Sequence, residues 1–110
     1  TDVDTVRIVV EKPRNVFIPN VFSPNGDGIN DVFLAFGGKE VDQILRFRVY
    51  DRWGENIFEG GPFAPNDPFY GWDGTFKGQM MNTAVFVYII DVSFIDGLVL
   101  TYSGSVTLVK

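Results

Sequence analysis

Hydrophobic and polar positions alternate with period two in two stretches of this chain, one in the middle and one at the end. The clearest case is Ile44 to Asp51, where Leu45, Phe47 and Val49 point one way and Arg46, Arg48 and Tyr50 the other. That pattern predicts a strand with one face in solvent. Arg52-Trp53-Gly54-Glu55 then turns the chain, and Asn56-Ile57-Phe58-Glu59 returns as its hairpin partner. Ala84 to Phe94 is the most hydrophobic segment and predicts a central strand, buried on both faces over part of its length. Asp96-Gly97 predicts a two-residue hairpin between Ile95 and Leu98. In the last strand Leu98, Leu100, Tyr102, Val106 and Leu108 face inward, and Thr101, Ser103, Ser105 and Thr107 face out.

The first half is more broken. Thr5 to Glu11 is rich in β-formers and stops at Pro13. Val16 to Phe22 is interrupted by Pro19, which marks an edge strand or a kink, and Val32 to Phe36 reads as a further strand. Between them, Ser23 to Asp31 is a loop dense in turn formers. Gly60 to Gly71, with Pro62, Pro65 and Pro68, is a long irregular loop, and Trp72-Asp73-Gly74-Thr75 closes it with a tight turn. About seven short strands separated by turns predict an all-β domain, an immunoglobulin-like Greek-key β-sandwich without the Cys–Trp–Cys marker of antibody domains.

Composition sharpens this picture. Fifteen Val and eleven Phe against three Ala favour strand over helix. A length of 110 residues fits one domain. With no Cys there are no disulfides or thiolate sites, and with no His the commonest general base and metal ligand is missing. A net charge of −5 argues against nucleic acid as a partner, and no apolar run is long enough to span a membrane. No carboxylate pair falls into a recognisable catalytic setting, so no enzyme activity is expected of this piece. The chain begins with Thr1 and shows no signal segment, so it reads as part of a longer protein.

Several landmarks occur together in order. Pro19-Asn20-Val21-Phe22-Ser23-Pro24-Asn25-Gly26-Asp27-Gly28-Ile29-Asn30-Asp31-Val32-Phe33 comes first and Arg52-Trp53-Gly54-Glu55 follows an alternating strand. Trp72-Asp73-Gly74-Thr75 comes next with Gly78 shortly after, then Phe86-Val87-Tyr88-Ile89-Ile90, then Val106-Thr107-Leu108-Val109-Lys110. This series resembles the gliding motility-associated C-terminal domain, the type B sorting domain of the type IX secretion system. The chain departs from that pattern at Thr83-Ala84-Val85, where the family often has a Gly. The resemblance covers about residues 16 to 110. Residues 1–15 read as a linker, or as the last strand of a preceding adhesin-type β-sandwich repeat.

The resemblance implies a sorting role. Such a domain sits at the C-terminus of a large secreted or surface-displayed protein, an adhesin or an enzyme. It is recognised in the periplasm and directs its cargo across the outer membrane. The implied partners are an outer-membrane barrel protein and the translocon, and the isolated domain is expected to be a monomer. The alternative is a carbohydrate- or protein-binding module of a surface adhesin, gripping its ligand with Trp53, Phe69, Tyr70 and Trp72.

Candidate sites follow from residue type. Calcium takes six to eight oxygens from a flexible loop. In an EF-hand register Ser23, Asn25, Asp27, the Ile29 carbonyl and Asp31 fall at ligand positions, with Asp73 as an added ligand, but Leu34 stands where the closing Glu belongs. The competing reading is an Asx-rich turn in which the same side chains bond loop amides. No cofactor is required under either reading. For partner recognition the candidates are Arg52, Trp53 and Gly54, Trp72 and Gly74, and Val106, Leu108 and Lys110 of the terminal strand. Trp and Arg are typical interface anchors, and an edge strand can be extended by a partner strand. The competing readings are that Trp53 covers the open end of the sandwich with Arg52 stacked on a ring or paired with Asp51, and that the last strand is ordinary core.

Overall fold

A computed structural model describes residues 15–26, 28 and 31–110. The expected Thr5–Glu11 strand, all but Asn15 of the segment 1–15 read as a linker or the last strand of a preceding repeat, and Asp27, Ile29 and Asn30 lie outside the described residues.

The fold is an all-β sandwich. In chain order the strands are β1 (Val16–Phe17), β2 (Val21–Phe22), β3 (Phe36–Gly37), β4 (Val41–Tyr50), β5 (Asn56–Gly60), β6 (Thr75–Phe76), β7 (Gln79–Met80), β8 (Ala84–Phe94) and β9 (Val99–Leu108). One five-stranded sheet has the order β2-β9-β8-β4-β5, antiparallel except that β2 runs parallel to β9. After the β4–β5 hairpin the chain crosses from the sheet edge past β4 to β8, which is the Greek-key step.

Residues 61–83 make that crossing and, with the β1–β3 ribbon and residues 33–35, cover one face of the sheet. Phe63 exchanges two backbone hydrogen bonds with Ile44, and Trp72 exchanges two with Phe33. Between the layers runs a continuous series of rings. Phe33 lies 5.4 Å from Phe47 and 5.5 Å from Tyr88, and Trp72 lies 5.4 Å from Phe22 and 5.0 Å from Phe86. Such offset and edge-on contacts add to the burial of large apolar area.

Four local expectations change. Val32 to Phe36 is not one regular strand: Phe33, Leu34 and Ala35 are buried in succession because the segment runs between layers rather than along a sheet face. In β4 a register shift between Ile44 and Arg46 puts Ile44, with Phe47 and Val49, in the core and leaves Leu45 half-buried. β8 is central in the sheet but buried on one face only, with Val85 and Val87 exposed on the other. The β8–β9 loop has three residues, Ile95 to Gly97. Phe94 N–H donates to the Leu98 carbonyl, and Gly97 takes the left-handed conformation that this longer loop needs. That geometry also moves Leu98 from the inward face to an exposed position.

β9 carries a glycine mid-strand without a bulge. Gly104 pairs with Tyr88, whose ring lies over the bare backbone so closely that a Cβ there would meet the hydroxyl at 2.7 Å. An aromatic side chain across from a strand glycine replaces the packing that the glycine lacks.

Candidate docking surface

The turn between β4 and β5 is fixed by one carboxylate. Asp51 Oδ1 accepts the N–H groups of Trp53 and Glu55, each at 2.9 Å, and Gly54 N–H donates to the Asp51 carbonyl at 3.0 Å. Held this way, the Trp53 indole projects into solvent and is 82% exposed. It does not cover the end of the sandwich. Arg52 stacks on it, with the guanidinium carbon 5.4 Å from the ring centroid.

Opposite this turn stands the β6–β7 hairpin. Lys77 and Gly78 both have positive φ, the pair of conformations that closes a two-residue turn with the twist of a hairpin. Lys77 Nζ lies 5.2 Å from the Phe76 ring. A groove of about 690 Å³ separates hairpin and turn, walled by Trp53, Phe76, Met80 and Val85 and rimmed by Arg52 and Lys77. Among the described residues Arg46 and Arg48 pair with Glu59 and Asp91. Arg52 and Lys77 have rings as their neighbours instead. Cationic groups over apolar walls suit an amphipathic partner surface.

The end of β9 reaches the same pole. Leu108 pairs with Ala84, and Lys110 N–H donates to Thr83 Oγ1 at 3.1 Å, beside the groove wall. Val106 and Leu108 are fully buried. They anchor the strand in the core, and their side chains are not available to a partner in this state.

Trp72 and Gly74 are buried too. The Trp72 indole N–H donates to the Thr75 carbonyl at 2.8 Å, and Asp73 Oδ1 accepts from both Thr75 N–H and Thr75 Oγ1. Gly74 sits against Leu108, Met80 and Pro24. This turn locks the hairpin to the end of β9 and so positions one wall of the groove.

The predicted recognition residues therefore divide. Arg52, Trp53, Gly54 and Lys110 are exposed at one pole, whereas Trp72, Gly74, Val106 and Leu108 build the frame beneath it. Sequence reasoning missed Lys77, Met80 and Val85. Its one available signal was Lys77-Gly78 between Thr75-Phe76 and Gln79-Met80, a short hairpin hidden behind the prolines of the preceding loop.

In the loop proposed for calcium, Asp31 Oδ1 accepts Gly26 N–H at 2.9 Å and Oδ2 accepts Gly28 N–H at 2.7 Å. Both oxygens thus serve loop amides, the arrangement of an Asx-rich turn. Asp73 caps its own turn. Ser23 and Asn25 are tied by a backbone bond, Asn25 N–H to the Ser23 carbonyl at 2.8 Å. Among the described residues no three His, Cys, Asp or Glu side chains cluster, and Asp27 and Ile29 of the candidate ligand set lie outside those residues.

The four aromatics of the binding-module alternative do not form one platform. Trp72 is buried, while Phe69 is exposed on a short 3-10 turn (Pro68–Tyr70) and Tyr70 stacks on Phe63 at 4.9 Å. That alternative is not favoured.

A family model described as the CHU_C type IX secretion signal domain matches residues 16–108, nearly the whole chain. No curated protein matches the chain. The matched family is a signal for export, not a catalyst, and it implies secretion or display at the cell surface. On that match, and with the all-β sandwich that carries it, the chain belongs to the type IX secretion signal domain family and acts as a sorting signal.

Proposed function

We propose that the secretion machinery reads this domain at the pole formed by the Asp51–Glu55 turn, the β6–β7 hairpin and the end of β9. The observation that carries the reading is Trp53, a large aromatic held out in solvent by a turn whose amides are fixed by Asp51 and whose ring is steadied by Arg52. An exposed, pre-ordered aromatic with an adjacent Arg has the character of an interface hot spot, because little freedom is lost when it docks. In this reading the cargo is a large secreted or surface-anchored protein. It crosses the periplasm, and an outer-membrane barrel protein and the translocon are the partners that engage the groove.

The test is export of a passenger. The whole 110-residue chain is fused behind a periplasm-targeted fluorescent protein in a host with the cognate translocon. Trp53→Ala should leave the melting temperature within about 3 °C, since the side chain makes little packing, and an anchor worth about 2 kcal/mol should lower affinity roughly 30-fold. External fluorescence should fall accordingly. Unchanged export of a folded Trp53→Ala fusion would remove this pole from the recognition surface.

A further inference from the structure

Lys77 stands where the backbone does not favour a lysine. It is the first residue of the β6–β7 turn, with φ +54°, and Gly78 follows with φ +81°. A turn of this kind is taken most easily by Asn, Asp or Gly, whereas a long side chain is disfavoured in the left-handed region. Among the described residues Asn66 is the other non-glycine residue with positive φ. Its side-chain amide exchanges two hydrogen bonds with Gly37, each at 2.9 Å, which stabilises the local backbone. The Lys77 side chain runs instead to the rim of the groove, with Nζ 5.2 Å from the Phe76 ring. A disfavoured backbone position kept by a residue that does not suit it marks a side chain needed for something other than the turn.

The charges around the groove agree. Its lining holds two bases, Arg52 and Lys77, and one acid, Asp51. The whole chain has the opposite balance, a net charge of −5. Asp51 is committed to the turn, since its Oδ1 accepts the N–H groups of Trp53 and Glu55. Arg52 and Lys77 each lie against an aromatic ring, which orders the side chain and leaves its N–H groups able to donate. The groove is thus a basic, apolar-walled cleft on an acidic domain.

We infer that this cleft takes an acidic, apolar peptide segment, with an Asp or Glu carboxylate held between Arg52 and Lys77 and its apolar neighbours against Trp53, Met80 and Val85. This rests on the docking pole proposed above and names the chemistry of what docks there. Charge complementarity selects the carboxylate, because charge-assisted hydrogen bonds from Arg and Lys are the strong ones. Concavity selects a peptide over a lipid surface. The apolar side chains are walls of a cleft of about 690 Å³, a size that encloses side chains, whereas an anionic bilayer would need a protruding apolar face and would meet a domain of net charge −5.

The unsuitable backbone at Lys77 supplies the test. Lys77→Asn gives the turn a residue that it favours and removes the cation. In the full-chain passenger fusion it should keep or raise the melting temperature and lower external passenger roughly tenfold, as expected for one lost charged hydrogen bond. Lys77→Arg keeps the charge and should export within about twofold of the parent. Carbodiimide, which joins amines to carboxylates in direct contact, should link Lys77 of the exporting parent to an Asp or Glu of a second protein, located by mass spectrometry.

Equal export of the parent and Lys77→Asn overturns the proposal, as does equal loss in Lys77→Asn and Lys77→Arg. A carbodiimide product of Lys77 confined to its own chain or to a second copy also overturns it. With no product to another protein the proposal falls, and co-sedimentation of the chain with phosphatidylglycerol vesicles would then give the groove to lipid. The outcomes separate from those of the wider reading. Where Trp53→Ala lowers export and Lys77→Asn does not, the pole stands and the carboxylate contact fails; a folded parent that is not exported overturns the sorting role itself.

Discussion

Gly74 joins the Trp72 turn to the end of β9, and replacing it with Ala tests how tightly that junction is built. Its φ is +88°, and a Cβ there would lie 3.0 Å from Leu108 Cδ1, 3.1 Å from Met80 Sδ and 3.2 Å from Pro24 Cγ. Gly78, four residues on, has φ +81°, and a Cβ added to it would meet nothing within 4 Å. Left-handed backbone costs an Ala about 1–2 kcal/mol, and the stiffer unfolded chain gives back roughly 0.4–1 kcal/mol. Gly78→Ala should therefore lose about 1 kcal/mol. Gly74→Ala adds overpacking, typically about 1–3 kcal/mol. Met80 is partly exposed and can swing aside, but Leu108 is fully buried and the Pro24 ring is rigid, so most of that strain persists. The total is about 2–4 kcal/mol, or a fall of roughly 8–20 °C in melting temperature, against about 5 °C for Gly78→Ala. Thermal unfolding of the parent and both variants, followed by circular dichroism, measures the difference. Equal melting temperatures for the two variants, within about 2 °C, would refute the claim that this junction is close-packed.

Two further outcomes follow from the core. Trp72→Ala removes a fully buried ring with partners in Phe22 and Phe86 and should cost about 3–5 kcal/mol, read as a large drop in denaturant midpoint or failure to accumulate folded protein; a loss below about 1 kcal/mol would contradict its place in the core. Burial raises the Tyr88 hydroxyl pKa above its ordinary 10.0, so the folded state holds that proton more tightly than the unfolded chain. The resulting stabilisation is complete below the ordinary value and fades as pH rises through the folded one. Denaturant melts across that alkaline range should show stability falling with pH, and Tyr88→Phe should flatten the slope.

The legible parts of the fold were those whose signals are local. Alternation in β4 and β9, the Asp-Gly turns at positions 73–74 and 96–97, and the breaks at Pro19 and Gly60 are each decided by neighbours in sequence. What was not legible depends on the second layer. Phe33, Leu34 and Ala35 give no alternation because contacts come from two sides, and the displacement of Leu45 arises where Phe63 bonds to Ile44 across the crossing loop. The same holds for the candidate site. Trp53 and Arg52 were visible as residue types, but whether the indole lies in or out depends on Asp51 closing the turn beneath it. Lys77, Met80 and Val85 join the groove only because the chain folds back there.

Stability and recognition draw on different parts of the molecule. The aromatic series from Phe47 through Phe33 and Phe22 to Trp72 and Phe86 is internal, and β2 pairs with the end of β9 beside it. Trp53 lies outside that series, so a change there leaves the core untouched. Burying an indole that exposes nearly all of its surface supplies on the order of 4 kcal/mol before ordering costs, and the Asp51 turn keeps those costs low.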